Sequence, residues 1–216
     1  MTGFMSKLMR YILLVITAAV IAGAGAECSA QSVGLNSGKA ERKVRTEMGI
    51  GVRGVYTGVH SMSSESVAMR PRIGIGANFD FAVLFGNHFA IEAEVGYGGG
   101  SIDVANSKIE RRVKTSTVDI PLLLSARLAN QRVRISIGPM FTVLSSAEYT
   151  VEGEKRLFGP THPAVNMAAG VGVGLGRYFI IEARYIHPLK RSLNQFEGEE
   201  FTTQSHRITL GVALKF

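Results

Sequence analysis

Arg207-Ile-Thr-Leu-Gly-Val-Ala-Leu-Lys-Phe216 is the stretch that decides the fold. Ile208, Leu210, Val212, Leu214 and Phe216 fall on one side. Arg207, Thr209, Gly211, Ala213 and Lys215 fall on the other. Alternation at period two is strand geometry, because successive side chains of a strand point to opposite faces of a sheet.

The same pattern runs back through the chain. Strands are expected near 46–59, 70–84, 88–100, 114–128, 132–144, 164–175, 178–187 and 206–216. Most match or exceed the ~9–11 residues with which a tilted strand crosses a bilayer. Gly86-Asn87, Asn130-Gln131 and Gly176-Arg177 mark tight turns. Long polar segments near 60–69, 101–113, 145–163 and 188–205 alternate with them. Short turns at one end and long loops at the other are the rhythm of transmembrane β-barrels. The expected fold is therefore all-β: an eight-stranded antiparallel transmembrane β-barrel over 46–216, with both ends on the short-turn side. No stretch after residue 30 has the ~18 uninterrupted apolar residues of a membrane helix.

The two faces sort by chemistry. The outward set includes Met48, Ile50, Val52 and Tyr56; Ile73, Ile75, Phe79 and Phe81; Ile91, Ala93, Val95 and Tyr97; Val118, Ile120, Leu122 and Leu124; Val133, Ile135, Ile137 and Phe141; Val165, Met167, Val171 and Val173; Phe179, Ile181 and Tyr185. Charges are scarce there, as they must be where Lys or Arg at mid-membrane costs roughly 2–4 kcal/mol. The inward set is a candidate charge network: Glu47, Arg53, Arg72, Asp80, Glu92, Glu94, Asp119, Arg127, Arg134, Glu182, Arg184 and Arg207. Six acids face six arginines. Buried charges survive when paired, so the expected role is a self-neutralised plug, with a narrow ion or small-solute path as the alternative. Most glycines share the inward face, where they leave room for long side chains; Gly54 and Gly58 fall outward and do not fit. A soluble barrel or sandwich would carry the opposite polarity. Pro121 and Pro139 lie within expected strands and call for bulges. The sequence has no tryptophan, so an aromatic girdle must come from Tyr and Phe.

Residues 1–30 read as a cleaved signal peptide. Lys7 and Arg10 precede an apolar run from Tyr11 to Gly25. Cleavage is expected after Ala30, with Ala26 as the second small-residue site. Lipidation at Cys28 is the other reading, and Glu27 matches a lipobox poorly. Residues 31–45 read as a flexible periplasmic lead-in. A single cysteine excludes an internal disulfide.

Other chemistry is weaker. Gly49-Ile-Gly-Val-Arg-Gly54 spells GxGxxG but lies inside a strand with no helix after it, so no nucleotide cofactor is expected. No set of residues has metal-ligand spacing. His187, Ser205 and His206, with Glu197, Glu199 and Glu200, supply the residue types of a hydrolase at the loop end; a lipid A-modifying enzyme is the alternative, and no catalysis is the expectation. Part of the net charge of +7 lies in loops: Lys108, Arg111, Arg112 and Lys114; Lys155 and Arg156; Lys190 and Arg191. These would face lipopolysaccharide phosphates. A closed barrel leaves no basic face for nucleic acid.

Val118-Asp-Ile-Pro-Leu-Leu-Leu124, Ile135-Ser-Ile-Gly-Pro-Met-Phe141, Gly170-Val-Gly-Val-Gly174, Ile181-Glu-Ala-Arg-Tyr185 and Gly211-Val-Ala-Leu-Lys-Phe216 resemble the PorT-like outer-membrane β-barrel family. The closing strand, with Gly211, Leu214 and Phe216, resembles the insertion signal of outer-membrane barrels. The resemblance implies a barrel of OmpA/OmpX size in the outer membrane of a Gram-negative cell. It implies the barrel assembly machinery, outer-membrane lipid and other envelope or secretion proteins as partners. It implies a structural or accessory role, in protein secretion for PorT itself.

Overall fold

The computed structural model describes residues 44–64, 66–159, 164–176 and 178–216. The expected signal peptide lies outside the described residues. Eight long strands form the wall: β1 (Val44–Met62), β3 (Ile73–Phe85), β4 (Phe89–Ala105), β5 (Glu110–Leu128), β6 (Val133–Val151), β8 (Ala164–Leu175), β9 (Phe179–Pro188) and β11 (Glu199–Lys215). Each pairs antiparallel with the next, and β1 pairs with β11, so the sheet closes into a ring. Met48 and Phe216 exchange two backbone hydrogen bonds of 2.9 Å at the seam. Closure removes the unpaired edges that a sheet cannot expose to lipid. Three short strands, β2 (Ala68–Pro71), β7 (Glu154–Leu157) and β10 (Ser192–Phe196), pair with β4, β6 and β11 beyond the ring.

The strands overrun the sequence expectation mainly at one end; at the other, β1 opens at Val44, inside the segment expected as a lead-in over 31–45, of which 31–43 lie outside the described residues. The segment expected as a loop over 101–113 is mostly β4 and β5, joined by a tight turn in which Asn106 Oδ1 accepts from Lys108 N and Ile109 N at 3.0 and 2.8 Å. The segments 145–163 and 188–205 carry the β6–β7 and β10–β11 hairpins. Gly153 and Gly198 take positive φ in these turns, which a side chain resists. At the opposite end the connections are short, with Gly86 and Gly176 at positive φ.

Registers explain the prolines. The β5–β6 pairing slips between Val118 and Asp119, two residues from Pro121, with the extra residue, Val143, on β6; Pro121 itself stays in register with Met140. Pro139 is different. The β6–β8 register runs unbroken through Pro139↔Met167, so no bulge forms there.

Polarity inverts along the strands. Outward on β4 come Ile91, Val95 and Tyr97, then Gly99, Ser101 and Asp103. Inward come Glu92 and Glu94, then Gly98 and Gly100, then Ile102 and Val104. On β5 the outward sequence passes from Arg112, Lys114 and Ser116 to Val118, Ile120 and Leu122. The change falls at Tyr97↔Val118. Below it the wall is apolar outside, with Ile91 51% and Leu124 58% exposed. Above it the interior is apolar and the outside polar. Phe81 keeps its outward register but is covered by its neighbours.

Candidate functional site

The lower interior is an ionic network. Alternation on eight strands aims one polar row at the axis, and eight strands leave an interior just wide enough for side chains. Arg53 Nη1 bonds Glu94 Oε1 at 2.5 Å, and Arg184 Nη1 reaches Glu94 Oε2 at 2.9 Å. Arg184 and Arg134 both bond Glu182. Arg127 bridges Glu92 at 2.9 Å and Glu47 at 3.4 Å. Arg207 grips both carboxylate oxygens of Asp119, at 2.7 and 3.1 Å, and Thr142 Oγ1 donates to Asp119 Oδ1 at 2.6 Å. Charge-assisted bonds of this kind offset the cost of taking ions out of water.

Eleven of the twelve residues singled out in the sequence thus join the ionic network; Arg72 does not. Pro71 faces Ile102 and Ile75 faces Gly99, so four steps on one strand span three on the other. The extra residue breaks the inward phase at Arg72. Its Nε bonds Asp103 Oδ2 at 2.6 Å on the outer face instead. The twelfth place belongs to Lys215, which bonds Asp80 and lies 3.8 Å from Glu47. Its phase with Arg207 in the terminal strand was the available signal. Six carboxylates therefore still face six cations. Beside them sits a small apolar layer of Leu123, Met140, Ala168 and Ile186. Cavities in the lumen measure about 30, 20 and 10 Å³, room for a water or two.

An aromatic cap closes the upper interior. Val67, Ile102, Val104, Val113, Tyr149, Phe158, Phe196 and Phe201 form one buried cluster. The Phe196 ring lies 5.4 Å from Tyr149 and 6.3 Å from Phe158, and Phe158 lies 5.9 Å from Phe201. Backbone bonds from Phe158 N to Ala147 O (2.8 Å) and from Gln195 N to Phe158 O (2.7 Å) tie the β6–β7 and β10–β11 hairpins together. The sequence reading missed this cap, and Arg111, read there as a rim charge, sits half-buried opposite Val104. The alternation of Ile102 and Val104 with Ser101 and Asp103 was its visible trace.

The hydrolase residue types are scattered. Ser205 and His206 are strand neighbours and face opposite sides. His206 packs outward over Gly58 and stands 5.9 Å from the Tyr185 ring, with His187 on that same ring at 6.3 Å. A Cβ on Gly58 would strike the His206 imidazole, which accounts for an outward glycine. Glu199 instead accepts from Ser64 and Ser66 at 2.6 and 2.5 Å, bonds that hold its carboxyl below the usual range.

A closed ring, greasy outside and ionic inside, defines an integral membrane β-barrel. Residues 30–194 match the family model described as outer membrane protein beta-barrel domain, and the chain belongs to that family. Its place is the outer membrane. No curated protein matches the sequence. Among solved structures it is similar in fold to OprG of Pseudomonas aeruginosa, at 9% identity and a TM-score of 0.52 over 79% of this chain and 95% of that one. It is similar to Neisserial surface protein A at 13% identity and a TM-score of 0.50, over 81% and 99%. Ail of Yersinia pestis follows at 12% identity and 0.47, over 79% and 97%. In such barrels short turns face the periplasm and long loops the exterior, so the aromatic cap is extracellular.

Proposed function

We propose that this protein is a stoppered, non-enzymatic outer-membrane barrel that works as an anchor or accessory through its extracellular hairpins. The observation that carries this reading is double closure: a charge-balanced ionic layer within the membrane and a dry aromatic layer above it. A conducting barrel needs a continuous wet path, and the lumen cavities among the described residues hold only a water or two each. The PorT-like resemblance supplies the kind of accessory work, protein secretion across the envelope, with other envelope proteins as partners. The resemblance of Gly211, Leu214 and Phe216 to an insertion signal adds the barrel assembly machinery as a partner.

Planar-bilayer recording tests the closure. The purified protein should give no stable conductance steps at moderate voltage, and steady channels would overturn the reading. Deleting the gene should leave lipid A masses unchanged and alter the set of secreted proteins. Altered lipid A would instead favour the enzymatic alternative. Crosslinking from the hairpins in intact outer membranes would capture the partner.

A further inference from the structure

The net charge of +7 is unevenly placed along the barrel axis. The lumen network balances, six carboxylates against six cations. The extracellular segments 60–72, 101–117, 143–163 and 188–205 hold ten Lys and Arg against nine Asp and Glu, so they are close to neutral. The short-turn end differs. Arg45 opens β1, Arg132 leads into β6, and Arg177 falls between β8 and β9 in sequence. Lys39, Arg42 and Lys43 precede β1, with Glu41 as the one acid among them. Five residues of chain reach at most about 18 Å, so these three stay near Val44 and the same edge of the membrane. The periplasmic end thus carries five of the seven net positive charges.

Part of this charge is held in place. Asn87 Oδ1, in the β3–β4 turn, accepts from Arg45 Nη2 at 3.2 Å and from Gln131 Nε2 at 3.4 Å, which ties the start of β1 to two neighbouring turns. The β5–β6 turn is left-handed at Ala129, Asn130 and Gln131, with φ of 50, 55 and 68°. Residues with side chains hold that form only under constraint, here the Asn87 contact and Arg132 N bonded to Ala129 O at 3.2 Å. Arg45 and Arg132 are both exposed. Among the described residues neither enters an ion pair, and Glu47, the nearest carboxylate to Arg45 in sequence, already faces Arg127 and Lys215.

Exposed rings fix the depth of these cations. Phe85 and Phe89 face each other across the β3–β4 turn, Tyr178 and Phe179 lead into β9, and Phe216 closes the seam. Aromatic side chains of membrane proteins collect at the head-group level. Arg45 follows Val44, the strand partner of Phe85, and Arg177 precedes Tyr178. The cations therefore stand at the level of lipid phosphates, which phospholipid supplies in the periplasmic leaflet. We propose that this end of the barrel binds anionic phospholipid, its head-group phosphates drawn to Arg45, Arg132 and the basic residues before β1. Basic residues beside a membrane span each strengthen attachment to an anionic leaflet about fivefold. The site uses no lumen ion pair and no extracellular hairpin, so it stands apart from conductance and from the accessory role.

Native mass spectrometry of the full-length protein in detergent, titrated with phosphatidylglycerol or phosphatidylcholine of matched acyl chains, tests this. The wild type should bind phosphatidylglycerol at least about tenfold more tightly. The R45Q/R132Q variant should lower that preference at least about fivefold while keeping heat-modifiable gel migration. A K190Q/R191Q control, which removes two cations from the extracellular end, should keep the wild-type preference. Equal affinity of the wild type for the two lipids would overturn the assignment without any variant. A control that loses the preference as fully as R45Q/R132Q would reduce it to overall charge and overturn it as well. Retention on purified peptidoglycan sacculi that disappears in R45Q/R132Q, with no lipid preference, would give this face to the cell-wall polymer instead.

Discussion

Arg207 offers the sharpest perturbation of the ionic layer. Its guanidinium bonds both oxygens of Asp119, at 2.7 and 3.1 Å, and also Thr117 Oγ1 at 3.1 Å. The Asp119 side chain is 6% exposed and that of Arg207 15%. Arg207→Met keeps most of the stem volume and removes the charge. Asp119 is then left buried with hydroxyl donors only, Thr142 at 2.6 Å and Thr117 at 3.2 Å. Breaking a buried pair from one side costs ~3–5 kcal/mol, and the two hydroxyls hold the loss near the lower figure, about 3 kcal/mol. Asp119→Asn in the Arg207→Met background removes the stranded charge while keeping an acceptor for Thr142. The double variant should recover roughly 2 of those 3 kcal/mol, so that the two substitutions couple strongly. Urea unfolding in phosphatidylcholine vesicles, followed by tyrosine fluorescence and by heat-modifiable migration, reads both numbers. A loss under about 1 kcal/mol for Arg207→Met would refute the reasoning. So would a double variant less stable than the single one, because the cost would then lie in packing, not in a stranded carboxylate.

Phe196→Ala should empty the centre of the extracellular cap, at a cost of about 3–5 kcal/mol to the hairpins. Limited proteolysis should then cut within the β6–β7 or β10–β11 hairpin, near 152–158 or 190–200, while the membrane-embedded barrel stays intact; an unchanged digest would count against the cap. At Gly138 an added Cβ would run into the Leu122 carbonyl oxygen on the neighbouring strand. Gly138→Val should therefore lower the refolded fraction on a heat-modifiability gel, through overpacking of about 1–3 kcal/mol, and wild-type refolding would contradict the register given for β5 and β6. Asp103 titrates below an ordinary aspartate, chiefly because Arg72 Nε donates to it. A depressed folded-state value means the contribution is present above the unfolded value and is lost as pH falls through the folded one. The carboxyl carbon resonance of Asp103 should thus titrate at lower pH than a free aspartate, and in Arg72→Gln the midpoint should move up; no movement would sink the assignment.

The membrane half of this fold was legible because its signal is strict. Lipid tolerates almost no charge, so each crossing strand shows a clean apolar row, and glycines and ions collect on the other. Lys215 could be placed by phase but not recognised as a partner of Asp80, since cross-barrel contacts depend on register. The extracellular half was hidden for a physical reason. There both faces obey the soluble rule, apolar inside and polar outside, so Ser101-Ile-Asp-Val104 reads against the phase of the strand below it and passes for loop. Arg72 was misplaced by one residue because a bulge erases parity. The ring of Tyr185, His187 and His206 over Gly58 carried no sequence pattern at all: it assembles from β1, β9 and β11.

The most direct test is a spin-label accessibility scan in vesicles, with native Cys28 changed to Ser and single cysteines placed along 207–214 and 101–104. Oxygen collisions should peak at Ile208, Leu210, Val212 and Leu214 and drop at the intervening positions. In β4 the pattern should turn over, with Ser101 and Asp103 open to an aqueous nickel chelate and Ile102 and Val104 shielded from both reagents. Oxygen maxima at Arg207, Thr209, Gly211 and Ala213, or no alternation, would contradict a barrel with ions at its axis and lipid around it.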